Sequence, residues 1–410
     1  MGPITLFDKS FLQALNPDEA VWFDHFFLSN ISPLFYIETL ADLEKEVKNG
    51  RSPEKVVGEI ANKFPEAHGM PNAHHVDICI SNLMGHDIPL TGQILIARGR
   101  PVKVSGKTGL VIEESPEAEA FSRWQKGEFL TVERKFARIW RNQLRKLNLT
   151  DSYAWLETTG IKMGSFKSLE QVKVSTEEYV NSYDEQDKKL MLCLALLNIE
   201  PEIQSRIFSR WMAFGKKPLS EYAPYAAYVL MVELFFRMAI KVGYISSSRS
   251  SNWTDIAYLF YLPFSMLLVS SDRLHRRCAS LFLRDDQSFI WGPDLKKDLV
   301  KINKYYSGFP NSIKEMGINS FAAYPPNSDE FLVTKLWKRY LHIPEHYFDD
   351  KPRAPEKKPD IVKEINKFAD APSLAPKKID FELSNPDAMV VKRLVRKKRG
   401  SWYQLPSDCS

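Results

Sequence analysis

Five carboxylates stand where a chain of alternating strands and helices could gather them. Asp8 closes the short apolar run ITLFD at 4–8. Glu38 and Asp42 open ETLADLEK, four residues apart, and so share one helical face. Asp255 stands near the start of NWTDIAYLFYL, and Asp272 closes SMLLVSSD at 265–272. If the apolar runs are neighbours in one parallel sheet, Asp8, Glu38 and Asp272 meet at its carboxyl edge. A helix packed antiparallel on the sheet begins at that edge and adds Asp255. Open α/β sheets bind ligands there. Converging carboxylates repel one another, and a hard cation such as Mg2+ or Mn2+ relieves the repulsion through carboxylate and water oxygens. Beside a phosphate, such an ion activates water and stabilises the leaving oxygen of an in-line displacement. The competing reading makes Asp8, Asp255 and Asp272 helix caps or turn residues.

The elements that must position these acids are read from pattern. ITLFD reads as a strand. NPDEAVWFDHFFL (16–28) reads as a helix with Asn16 as cap, Pro17 in the first position and acids in the first turn. PLFYI (33–37) is a continuous apolar run, as in a strand covered on both faces. TLADLEKEV (39–47) continues as a helix, and another is expected around 53–63. Between 76 and 115, VDICI, GQILIARG, PVKVS and GLVIEE read as β-like, separated by turn residues. Helices dominate 116–244, with a long amphipathic one over 118–147 and a buried one over 225–244. A helix over NWTDIAYLFYL then stops at Pro263. SMLLVSSD is a strand and DRLHRRCASLFL (272–283) a helix. Residues 285–348 read as mixed and mainly helical. Residues 350–380, rich in Pro, Lys and Asp, read as a linker.

These motifs in this order resemble the PIN-domain nuclease family, which includes toxin ribonucleases of bacterial toxin–antitoxin pairs. ITLFDKSFL resembles the family's opening strand, ETLADLEK its second acidic segment, and TDIAYLFYLPFSMLLVSSDRLH its final pair of acids. The resemblance implies Mg2+- or Mn2+-dependent hydrolysis of RNA phosphodiester bonds. It implies Asp8, Asp42, Asp255 and Asp272 as catalytic acids, with Glu38 competing for the second position and all five as metal ligands. Ser10 and Ser271, with Arg273, Arg276 and Arg277, form the substrate side. The fold class expected is α/β: a PIN-like parallel sheet with flanking helices, interrupted by a large mixed β-hairpin and helical insertion. The core spans 1–48 and 250–310, the insertion 49–249, a helical extension 311–350, and a linker with a basic tail 351–410.

Other candidates are weaker. PVKVSGKTG ends like a phosphate loop, but Pro101 stands where its first glycine is required, so a β-turn is expected. His74, His75, Asp77, His86 and Asp87 match no metal-ligand spacing. His275, three residues beyond Asp272, reads as a surface or capping residue. The helix carrying Arg134, Lys135, Arg138, Arg141, Arg145 and Lys146 is interleaved with Phe136, Ile139, Trp140 and Leu144 at core spacing. The run VKRLVRKKRG (391–400) is the strongest electrostatic pointer to nucleic acid. The insertion and this tail are also the places to expect a protein partner.

Composition bounds the rest. Of 410 residues, 44% are apolar and 26% charged, which excludes a chain disordered throughout. The net charge of +5, from 56 basic and 51 acidic residues, identifies no partner by itself. Four scattered cysteines (Cys79, Cys193, Cys278, Cys409) with no CxxC pair fit a reducing cytoplasm. Charged residues directly behind the first apolar run argue against a signal peptide, and Leu6 breaks the myristoylation pattern. Glu233, Arg237 and Pro263 interrupt the most apolar stretches, so no membrane span is expected.

Overall fold

The structure, a computed structural model, describes residues 2–44, 51–95, 99–146, 166–341, 359–375 and 386–408. Its strands are β1 (Ile4–Phe7), β2 (Leu28–Ile31), β3 (Gly69–Pro71), β4 (Arg100–Val104), β5 (Lys107–Ile112), β6 (Leu267–Ser270), β7 (Ser288–Trp291), β8 (Ala388–Val391), β9 (Lys398–Arg399) and β10 (Trp402–Tyr403). The main sheet is parallel throughout, in the order β3-β2-β1-β6-β7. Thr5 of β1 lies opposite Ser29 on one side and Leu267 on the other. Every residue of β1 and β6 is buried, because helices cover both faces. Side-chain alternation sends Leu6 and Leu268 into one core, with the helices His75–Leu83 and Pro224–Lys241. Phe7, Leu267 and Val269 enter the other, with Pro17–Phe26, Gly292–Ser307 and Leu332–Leu341. The chain turns left from β1 to β2 and β3, then returns to the right for β6 and β7. The carboxyl ends of β1 and β6 therefore flank the point where the sheet's order reverses.

PLFYI is not a strand. Pro33 opens the helix Pro33–Leu40, and the Ser32 hydroxyl accepts the Leu34 N–H at 3.1 Å. The helix is apolar on two sides because it lies between two cores, with Leu34 in one and Phe35 in the other. The strand is the preceding LSNI, hidden from pattern reading by two buried polar residues. Of these, Asn30 donates to the Phe264 carbonyl at 2.9 Å and accepts from Asn72 at 3.1 Å. VDICI also belongs to a helix, His75–Leu83, whose Ile78, Cys79 and Leu83 share a buried face. In GQILIARG, residues 92–95 are not a strand and 96–98 lie outside the described residues. PVKVS and GLVIEE do pair as the expected hairpin, turned by Ser105 and Gly106 with φ of 50° and 84°. Gly106 of the GKT segment thus lies in the turn, and Lys107 and Thr108 open β5.

Besides β2, five strands were not legible: β3 arises within 49–249, β7 within the stretch read as mainly helical, and β8, β9 and β10 within the region read as linker and basic tail. The helix expected over 39–47 is a 3-10 turn, Ala41–Glu44, continuing Pro33–Leu40; residues 45–47 lie outside the described residues. The long helix at 118–147 is two helices, Pro116–Gln125 and Thr131–Lys146, parted at Gly127 with φ of 76°. In the second, Ala137 is buried, but Phe136 and Ile139 are exposed at 41% and 56%, so core spacing misjudged that face. The side chains of Leu144, Arg145 and Lys146 lie outside the described residues.

Within 350–380, the helix Pro359–Asp370 corrects the linker reading: Phe368 and Ala369 pack over the small β4-β5-β8 sheet, above Gly109. A Cβ at Gly109 would stand 2.5 Å from the Phe368 ring, so a side chain there would have to displace that ring. Residues 350–358 and 376–380, with Cys409, lie outside the described residues.

The basic run 391–400 is not a solvated tail. Arg393 donates to the Ala67 carbonyl at 2.6 Å and the Gly69 carbonyl at 3.1 Å. Arg396 pairs with Glu66 at 2.6 Å. Arg399, 3% exposed, pairs with the buried Asp24 at 2.9 Å. Asp24 also accepts the N–H groups of Glu66, Ala67 and His68, at 2.7, 3.0 and 2.8 Å, and so fixes the loop into β3. Burial opposes the Asp24 charge, but Arg399 and these N–H groups outweigh it and hold its pKa below the ordinary 3.8. Removing one partner of a buried pair strands the other charge. Arg399→Met should therefore cost about 3–5 kcal/mol in urea unfolding. The Asp24 contribution is present above pH 3.8 and is lost as pH falls below it. The variant should accordingly lose less stability than wild type between neutral and strongly acidic pH.

Candidate functional site

The site is built where β1 and β6 end. Asp8 follows β1 directly and caps the helix Lys9–Ala14, its Oδ1 accepting the Phe11 N–H at 2.9 Å. Its Oδ2 accepts the hydroxyls of Ser10 and Ser270, each at 2.7 Å. The Ser270 hydroxyl also receives the Asp272 N–H at 2.9 Å and lies 2.8 Å from His275 Nδ1. The other ring nitrogen, Nε2, lies 2.5 Å from the Asp255 carbonyl. His275 is fully buried, which corrects the surface reading. With acceptors at both nitrogens, the ring is placed to donate twice, as an imidazolium does. Burial disfavours that charge, but Asp8 at 3.4 Å and Asp255 outweigh it and raise the pKa to about 9.

Asp255 is the fifth residue of the helix Ser251–Ala257 rather than its opening residue. Burial raises its pKa to about 7. His275 opposes that rise, and the neighbouring charges of Glu38, Asp272 and Asp8 add to it. Asp8 moves the other way. Burial would raise it, but His275 and the two serine hydroxyls hold it below 3.8. Asp272 caps the helix Arg273–Cys278 through the Leu274 N–H at 2.6 Å. The capping reading thus holds for Asp8 and Asp272, and both still face the cluster.

Glu38 and Asp42 do share a face, and Lys9 fills it. The ammonium lies 3.4 Å from Glu38 Oε1 and 3.2 Å from Asp42 Oδ1, with the Glu38 carbonyl at 3.3 Å. Tyr258 donates to Glu38 Oε2 at 2.9 Å. Burial opposes the Lys9 charge, but Glu38 and Asp42 raise its pKa above the ordinary value. Glu38 is among the leading charges acting on Asp255. Asp42 is sealed behind Lys9 at 2% exposure.

On the substrate side, the Ser271 N–H donates to Ser10 at 3.2 Å, and its buried hydroxyl has no hydrogen-bond partner among the described residues. A Cβ at Gly292 would stand 2.2 Å from that hydroxyl, so glycine leaves it room. Arg273 is exposed. Arg276 lies 5.0 Å over the ring of Trp291, the last residue of β7 and therefore at the same sheet edge. Arg277 turns away to the Tyr244 carbonyl at 3.1 Å. Sequence reasoning missed Lys9, Tyr258, Ser270 and Trp291. Tyr258 had one signal, its place three residues beyond Asp255 on the same helical face.

The other histidine cluster is structural. His75 is buried 4.8 Å from the Phe260 ring, and burial lowers its pKa to about 3. His74 caps its helix, its Nδ1 accepting the Val76 N–H. Among the described residues, no three His, Cys, Asp or Glu side chains are placed to hold a metal ion together. None of their helices is long and apolar enough to cross a membrane.

Fold and site together define an α/β protein with an acidic cluster at the carboxyl edge of a parallel sheet. No family model matches the chain, and no curated protein or solved structure matches it.

His275 gives the site a pH signature. Its contribution to stability is fully present below pH 6.5 and is lost as pH rises through about 9. The opposing contribution of Asp255 is complete once pH exceeds about 7. The melting temperature should therefore fall between pH 7.5 and 9.5 in wild type, and His275→Gln should flatten that slope. An equal slope in both proteins would refute the assignment.

Proposed function

We propose that the chain is a divalent-cation-dependent nuclease on a PIN-like scaffold, hydrolysing RNA phosphodiester bonds. The observation that carries this reading is the gathering of Asp8, Glu38 and Asp272 around Asp255 at the β1/β6 switch point, where all three act on the charge of Asp255. Their oxygens are hard donors, and two of these carboxylates, Asp255 and Asp272, have no ion-pair partner among the described residues. That chemistry fits Mg2+ or Mn2+, although a finished coordination sphere is not preformed. When bound, such an ion supplies a water of lowered pKa and positive charge for the leaving oxygen.

The chain's own residues do the rest. Asp8, Asp255 and Asp272 would hold the ion. Ser10, Ser270 and His275 fix the Asp8 carboxylate. Arg273 offers an exposed positive charge to a phosphate one residue from Asp272. Trp291, backed by Arg276, offers a face for stacking an unpaired base, which favours a single strand.

A second reading keeps the scaffold without catalysis. It is favoured by the two built-in cations, Lys9 and His275, which already neutralise part of the cluster.

Labelled single-stranded RNA with Mn2+ or Mg2+ separates the two. Asp272→Asn is the informative variant, because asparagine also caps a helix and preserves the fold while removing the charge. Metal-dependent cutting by wild type and none by Asp272→Asn is the expected result. RNA binding without cutting by wild type would establish the scaffold reading. Trp291→Ala should weaken RNA binding by about 1–3 kcal/mol per stacked base, measured by fluorescence anisotropy.

A further inference from the structure

We infer that Lys9 occupies the place of a second cation, so that the site accepts one divalent ion per chain. This rests on the nuclease reading and specifies its metal stoichiometry. Two-metal phosphodiesterase sites set their ions about 3.5–4 Å apart among shared carboxylates. Here Glu38 and Asp42, the acids available for a second ion, enclose an ammonium instead. Lys9 Nζ lies 3.2 Å from Asp42 Oδ1, 3.4 Å from Glu38 Oε1 and 3.3 Å from the Glu38 carbonyl. Its side chain is 8% exposed, and that of Asp42 is 2% exposed. The remaining Glu38 oxygen takes the Tyr258 hydroxyl at 2.9 Å, so both Glu38 oxygens are engaged within the protein.

Displacing this ammonium would leave a buried lysine charge with no counter-ion, which is strongly unfavourable. Lys9 also follows Asp8 directly, at the first position of a helix held by the Asp8 cap, so the backbone cannot carry it away while the cap holds. On the other side of the cluster, His275 answers the charge of Asp8. Asp255 and Asp272 have no ion-pair partner among the described residues, which leaves these two carboxyls for one divalent ion.

Lys9 is thus a positioning residue. It fixes Glu38 and blocks a second ion without touching substrate. The test is a Mn2+ titration of the full chain, with free Mn2+ read from its aqueous electron paramagnetic resonance signal. Wild type should bind one ion. Lys9→Met, shown folded by circular dichroism, should bind two, because the ammonium that fills the space between Glu38 and Asp42 is then gone. A purely structural lysine would not change that count. Two ions in wild type, or one in folded Lys9→Met, would overturn the inference.

Should Lys9→Met not fold, Glu38→Gln decides. It should keep one ion, weakened about 10–100-fold as for a supporting rather than a ligating group. Abolished binding in that variant would show Glu38 to be a ligand and overturn the inference. No ion bound by wild type would sink the nuclease reading itself, a result distinct from a count of two.

Discussion

One hydroxyl ties the two central strands together beyond the end of their ladder. Ser270 donates to Asp8, receives the Asp272 N–H and meets the His275 ring. Through that ring the contact reaches the Asp255 carbonyl on a third element. The ladder adds one more link, from the Asp8 N–H to the Val269 carbonyl at 3.3 Å. Three acids on three elements, Asp8, Asp255 and Asp272, are thereby tied together at one sheet edge. A serine at this position can donate and accept at once, which neither alanine nor valine can do.

The same knot explains why neighbouring carboxyls behave differently. Asp8 is the more deeply buried, yet it stays ionised because four donors converge on it. Asp255 has no donor of its own among the described residues and carries the repulsion of the others, so it sits near neutrality. Groups of one type pushed in opposite directions within one cluster are a common mark of a functional site. Lys9 does for Glu38 and Asp42 what His275 does for Asp8. The cluster therefore tolerates five acids with only part of its charge left open.

Much of the frame was legible because β1 and β6 are short, fully buried and strongly apolar, and each ends on an acid. Asn16, Pro17 and Glu19 likewise marked a helix start that forms a complete capping box. Failures came where composition and period part company. PLFYI is apolar on two sides because two cores meet across it. LSNI hides a strand, since Asn30 is satisfied by Phe264 and Asn72, residues far away in sequence. The arginines at 393, 396 and 399 read as a tail because their acceptors, mostly backbone carbonyls, leave no trace in composition. Lys9 was passed over for a similar reason. Its partners lie 29 and 33 residues away, beyond any local pattern. Asp8 and Asp272 could be chosen from strand ends, whereas Glu38 and Asp42 follow PLFYI, a helical run that was read as a strand.

The clasp formed by residues 393–403 has a consequence for the order in which the molecule is made. The loop into β3 depends on Arg393, Arg396 and Arg399, some 324 to 335 residues downstream. At a synthesis rate of about 5–20 residues per second, those partners emerge roughly 15–65 s after the loop itself. During that interval β3 is an open edge, and Asp24 waits without its guanidinium. Strand β1 likewise waits for β6 on its other side. An amino-terminal fragment on the ribosome thus holds an unfinished sheet, with exposed strand edges that invite pairing with other chains. The 393–403 segment works as a completion signal, since the fold closes over Asp24 only once that segment has been made.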